Sequence, residues 1–209
     1  MRKEGNVYYP EGPEDLTHFK PNKFNNVLII LREPGCDAEI EVEQAKRDNS
    51  DWFDQITGEL SDENVDADVK RKQGLYRNRF EEMLECVGID REDLSKIAYS
   101  NIKFTGGGKN ASKEYRDMPK ETKGKIMEEI IKIIENSINS DIELKVFVLG
   151  EIFNIVSENH ESEIAEDGIK YKGKEKPRRR VKIGNVEYFE IFHPSYRRTI
   201  ETKESCIMK

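Results

Sequence analysis

The stretch Asn26-Val27-Leu28-Ile29-Ile30-Leu31-Arg32-Glu33-Pro34-Gly35 decides the reading of this chain. Val27 to Leu31 is an uninterrupted apolar run, which reads as a strand buried on both faces. Charged residues and a Pro-Gly turn end it and place Glu33 where the strand stops. A second stretch, Tyr188-Phe189-Glu190-Ile191-Phe192-His193-Pro194-Ser195-Tyr196, repeats the plan and places His193 at its end. In open α/β sheets, ligands bind outside the carboxyl ends of the strands. A carboxylate and an imidazole brought together there form an acid–base or charge-stabilising pair.

Outward from these two stretches the chain alternates strands and helices. After Gly35 a helix is expected, capped by Asp37, with Trp52 and Phe53 as its last anchors. Five carboxylates between Glu59 and Asp68 mark an exposed acidic segment. Leu75, Tyr76, Phe80, Met83, Leu84 and Val87 have helical spacing and stop at Gly88. Ile97 to Phe104 reads as a second strand, running into the flexible loop Thr105-Gly106-Gly107-Gly108-Lys109-Asn110. From Pro119, Ile126, Ile130, Ile133, Ile134 and Ile138 line one stripe of an amphipathic helix. Lys145 to Leu149 is a third strand, and Gly150 opens a turn into a short helix ending at Val156. A polar and basic excursion at 157–187 is hairpin-like, with the pairs Ile169/Tyr171 and Val181/Ile183. Tyr188 to Phe192 is the fourth strand, and His193 to Lys203 is expected to run into a last helix. These elements predict an α/β fold: three layers, α/β/α, around a central, mainly parallel four-stranded sheet. Residues 1–25 read as a loosely packed N-terminal arm before a single domain at 26–205. His18 and His160 lie in polar stretches and read as surface residues.

Composition narrows the function classes. Among 209 residues, 35% are hydrophobic and 37% charged, which points to one core with long solvated excursions. No apolar run is long enough to span a bilayer. Met1-Arg2-Lys3-Glu4-Gly5 has no apolar stretch of the signal-peptide kind, and the terminal Cys206-Ile207-Met208-Lys209 matches a prenylation box only superficially. Cys36, Cys86 and Cys206 are too few and too scattered for a disulfide framework or zinc site, so a reducing cytoplasm is expected. A net charge of −7 argues against strong general affinity for nucleic acid. Yet Lys172 to Lys182 carries seven Lys or Arg against one Glu, a strip compatible with local phosphate binding. Gly106-Gly107-Gly108 lacks the Lys-Ser/Thr ending of a P-loop.

In the order of its motifs the chain resembles the uracil-DNA glycosylase superfamily. Leu31-Arg32-Glu33-Pro34-Gly35 is similar to the first motif, Gly-x-(Asp/Asn/Ala)-Pro-(Gly/Tyr), with Leu31 in place of the Gly and Glu33 in place of Asp, Asn or Ala. His193-Pro194-Ser195 matches the start of the second motif. Asn101 in Tyr99-Ser100-Asn101-Ile102-Lys103 stands where the family reads the base. Asn78-Arg79-Phe80 and Val148-Leu149-Gly150 resemble further segments. The likeness spans roughly residues 26 to 200.

The resemblance implies a DNA glycosylase that flips out an altered base and hydrolyses its N-glycosidic bond. Glu33 would stabilise the sugar cation or orient water. His193 would donate to the departing base oxygen. Asn101 would read the base edge, and Tyr76, Phe80, Pro34 and Gly35 would shape the base pocket, with Trp52 a poorer wall. Ser195, Tyr196, Arg197, Arg178, Arg179 and Arg180 would hold the DNA. The implied enzyme is a monomer needing no metal or organic cofactor, and the cysteines do not match the family's iron–sulfur branches. Two other readings stay open: a non-catalytic module binding a base or nucleic acid on the same scaffold, and an unrelated hydrolase of small molecules.

Overall fold

The computed structural model describes residues 1–33, 67–105, 111–138, 143–194 and 200. The hairpin strands β1 (Arg2–Glu4) and β2 (Val7–Tyr9) come first, followed by β3 (Val27–Leu31). Helix α1 (Ala67–Cys86) precedes β4 (Ala98–Asn101), and α2 (Ala111–Asp117) and α3 (Lys120–Ile138) precede β5 (Leu144–Leu149). Helix α4 (Gly150–Val156), β6 (Arg180–Ile183) and β7 (Val186–Ile191) complete the described elements. The expected helix after Gly35 and the Gly106–Gly108 loop lie outside the described residues.

A mostly parallel sheet of order β4-β3-β5-β7-β6 forms the centre. The four strands expected from sequence are all present and mutually parallel. A fifth corrects the four-stranded expectation: Val181 and Ile183 pair antiparallel with β7, not with Ile169 and Tyr171. The two-residue link Gly184-Asn185 explains this, because Gly184 takes the positive φ of 59° that a tight hairpin turn asks of its first residue. The rest of the excursion folds back along the same edge, where Ala165 bridges Arg180 and the Ile169 carbonyl accepts the Arg178 N–H at 2.9 Å.

Strand order also sets the layers. Right-handed crossovers put α1, which joins β3 to β4, on one face. They put α3 and α4, which accompany chain movement the other way, on the opposite face, giving three layers. Every residue of β3 is buried, as the apolar run requires of a central strand. Phe80, Met83 and Leu84 carry α1 into the core, and Ile126, Ile130 and Ile134 do the same for α3. Helix α1 begins before Leu75, already at Ala67, and ends in a Schellman turn. There Gly88 has φ 78° and donates to Glu85 O, while Ile89 donates to Leu84 O.

The N-terminal arm is docked, against the expectation of loose packing. Tyr9, Leu16 and His18 are buried. His18 exchanges backbone hydrogen bonds of 2.9 and 2.8 Å with Tyr99, so the arm covers the open edge of β4. His18 is therefore a core residue, whereas His160 is partly exposed and pairs with Glu163. Ile200 is a bridge partner of Tyr171, so the expected helix through Lys203 does not include it. Among the described residues, no helix is long and apolar enough to cross a membrane.

Candidate active site

Parallel strands deliver the ends of β3, β4, β5 and β7 to one edge. The chain leaves β3 toward β4 and leaves β5 toward β7, in opposite directions across the sheet. The switch point, where such sheets open a crevice, lies between β3 and β5. Arg32 and Glu33 follow β3 there, and Gly150 and Glu151 follow β5. His193 follows β7, one strand further on. At about 4.8 Å between neighbouring strands, β3 and β7 lie about 10 Å apart, within reach of converging side chains.

His193 and Glu33 lie within electrostatic reach of each other. The imidazole is half-buried, and its pKa is pulled below the ordinary value by burial first and by the Arg32 charge second, with Glu33 acting in the opposite sense. Both charges therefore lie within electrostatic reach of the ring. At neutral pH the imidazole is uncharged and offers one N–H donor and one lone pair. Tyr76 presents its ring edge-on to His193, with centroids 6.2 Å apart and planes at 86°. Phe192, just before His193, is held from three sides. Its N–H donates to the Tyr171 hydroxyl at 3.2 Å, the Tyr171 ring meets it edge-on at 4.8 Å, and the Arg178 guanidinium lies 4.4 Å above it. This clamp limits how far the backbone that carries His193 can move.

On the β3 side, Glu33 is half-buried with Oε2 shielded from solvent. Arg32 donates from Nε to Glu151 Oε1 at 2.5 Å and so ties the two strand ends across the switch point. Beneath them lies Tyr115 of α2, 1% exposed. Burial first and Glu151 second push its hydroxyl above the ordinary tyrosine range, so it stays protonated beside the Glu151 and Glu33 carboxylates. Lys123 Nζ lies 4.3 Å from the centre of the Tyr115 ring. Sequence reasoning missed Glu151 and Tyr115. Glu151 had a signal in its place directly after Leu149-Gly150. Tyr115 had none, because no element was expected between the Thr105–Asn110 loop and Pro119.

Other expected site residues are placed differently. Asn101 pairs with Leu31 in register and is 1% exposed. Its Oδ1 accepts from the Tyr99 hydroxyl at 3.2 Å, and its Nδ2 donates to Thr17 Oγ1 at 3.5 Å. The amide thus tethers the arm, and its groups face protein partners. Phe80 is fully buried with its ring 6.4 Å from that of Tyr76, so it packs in the core behind Tyr76.

The arginine run is used internally. Arg178 and Arg179 both bond the carboxylate of Glu190, which is 3% exposed. Burial alone would raise the Glu190 carboxyl, but the Arg179 hydrogen bonds and both arginine charges outweigh it and hold the pKa below its usual value. The buried Glu190 carboxylate requires the partners Arg178 and Arg179, and Arg180 is paired with Asp167 and Glu187, so all three guanidiniums already have carboxylate partners within the chain. Pro34, Gly35, Trp52, Ser195, Tyr196 and Arg197 lie outside the described residues.

A pocket of about 350 Å³ adjoins the end of β4, lined by Tyr8, Lys103, Phe104, Glu114, Asp117 and Met118 among others. Among the described residues, no three His, Cys, Asp or Glu side chains are grouped to hold a metal ion. No protein-family model, no curated protein and no solved structure matches the chain.

Proposed function

We propose that this protein hydrolyses the N-glycosidic bond of an altered base, uracil among the candidates, in a DNA strand. The observation that carries the reading is that Glu33 and His193 follow parallel strands at the carboxyl edge of the sheet, beside the topological switch point, with Tyr76 against the His193 ring. Breaking this bond leaves positive charge on the sugar and negative charge on the departing base. Glu33 supplies the carboxylate that stabilises the sugar cation or orients the attacking water. His193, uncharged at neutral pH, donates its N–H to the base oxygen as negative charge develops there. A neutral imidazole in this role leaves the Glu33 carboxylate without a competing cation at the ring. Tyr76 supplies an aromatic edge next to the imidazole, where an extruded base would lie. Three scattered cysteines suit a reducing compartment such as the cytoplasm.

The test is a base-release screen over oligonucleotides bearing uracil, hypoxanthine, xanthine, mismatches and modified cytosines. Release from at least one is expected, with Glu33→Gln and His193→Ala each slowing it by about 10²-fold or more. Full activity in both variants would overturn the site assignment. One observation favours a second reading, a base-binding module without chemistry: the Asn101 amide is engaged by Tyr99 and Thr17. Salt-dependent DNA binding with no release from any substrate would establish that reading.

A further inference from the structure

Arg32 stands at the mouth of the site with its backbone fixed and its guanidinium only partly used. Its carbonyl accepts the Lys103 N–H at 2.8 Å, and the neighbouring Leu31 carbonyl accepts Ile102 N–H at 3.0 Å, so the stem is tied to the sheet edge. The side chain is 50% exposed and its Cζ lies 5.8 Å from the Tyr115 ring centre. Among the described residues, only Nε is engaged, by Glu151, itself 34% exposed. Among the described residues, the two Nη groups of the fork have no hydrogen-bond partner. Other cations near this edge are committed. Lys103 is held by Glu114 at 2.9 Å and the Thr105 carbonyl at 2.6 Å. Lys123 is buried against the Tyr115 ring. Arg178 and Arg179 serve Glu190.

We propose that Arg32 grips a phosphate of the nucleotide whose base the site holds, exchanging Glu151 for phosphate oxygens. The ligand class rests on the glycosidic reading above; the anion site itself does not. A planar guanidinium fork matches the oxygens of a phosphate, and charge-assisted bonds of this kind are roughly twice as strong as neutral ones. The bond given up is an ion pair between two partly exposed groups, which contributes little in water. Glu151 thus keeps the guanidinium at the switch point while the site is empty, and the phosphate takes over the fork on binding. Because the Arg32 charge reaches His193, neutralising it with phosphate alters the imidazole environment. Gripping the phosphate and readying the base-oxygen donor are then one event. The phosphate can be the diester of a DNA strand or the monoester of a free nucleotide.

The experiment follows the His193 ring by NMR in the full-length protein, titrated separately with deoxyuridine 5′-monophosphate, inorganic phosphate and a short uracil-bearing oligonucleotide. The expected result is a saturable shift of His193 with at least one nucleotide probe. Arg32→Gln weakens that binding by roughly ten- to a hundredfold, Arg32→Lys by less, and Glu151→Gln does not weaken it. Tighter binding of the oligonucleotide identifies a strand phosphate, and tighter binding of the mononucleotide identifies a monoester. Absence of any shift in the wild type, or equal affinity in Arg32→Gln with its thermal melt unchanged, overturns the proposal. Arg32-dependent binding without base release would leave this inference standing and remove the hydrolase reading. Base release with kcat and KM unaltered in Arg32→Gln would do the reverse.

Discussion

Gly150→Ala is expected to destabilise the protein although it adds a better helix former at the start of α4. A methyl carbon at position 150 would lie 2.6 Å from Glu190 Oε1 and 2.9 Å from Arg178 Nη2, well inside van der Waals contact. The carboxylate cannot swing freely aside, because it is 3% exposed and bonded by two arginines. Alanine in a helix gains up to about 1 kcal/mol over glycine. Against this, overpacking a filled site costs about 1–3 kcal/mol, and weakening a charge-assisted hydrogen bond to Glu190 adds about 1.5–3 kcal/mol. The net effect is a loss of roughly 2–4 kcal/mol, seen as a lowered urea midpoint by far-ultraviolet circular dichroism. The same change in a Glu190→Ala background, where the clashing carboxylate is gone, should be neutral or stabilising. Equal destabilisation in both backgrounds would refute the argument that this carboxylate is what demands glycine.

Further outcomes follow from other parts of the molecule. Ile130→Ala, at a fully buried position on α3, should cost about 2–5 kcal/mol in urea unfolding; a loss below about 1 kcal/mol would contradict its place in the core. The His193 imidazole should titrate below its ordinary value of 6.5, and removing the Arg32 charge with Arg32→Gln should raise it, as read by NMR. Its folded pKa lies below its unfolded one, so the unfolded chain binds more protons between the two values. Stability should therefore rise with pH through that window and level off above 6.5, a dependence that His193→Gln abolishes. Asp167 has the same sign of linkage in a more acidic window. The Arg180 hydrogen bond holds its carboxyl below the ordinary 3.8, so its contribution is complete above that value and is lost as pH falls through the folded one. Arg180→Gln should lower the urea midpoint at pH 7, and by less as pH falls below 3.8.

The α/β class and the four parallel strands were legible because each central strand is a nearly continuous apolar run, and the Ile stripe of α3 has unbroken helical spacing. Glu33 and His193 were legible for the same reason: each directly follows a strand, and a parallel sheet brings all such positions to one edge. Glu190 was not, since a carboxylate inside an apolar strand does not disclose which cations neutralise it. The run Arg178 to Arg180 consequently read as a basic surface, whereas its side chains turn inward to Glu190 and outward to Asp167 and Glu187. His18 read as solvated because its neighbours are polar, and only the docking of the arm on β4 buries it.

The sequence alone determined the four parallel strands and which of their ends carry ionisable groups, because those follow from local apolar periodicity and turn chemistry. Tertiary structure decided the strand order, and with it the switch point between β3 and β5. It also decided that Arg32 and Glu151 face each other there, that Tyr115 lies beneath them, and that Asn101 turns its amide to the arm. Those are contacts between residues far apart in the chain. Their energies depend on pairing and burial, and no local pattern records them.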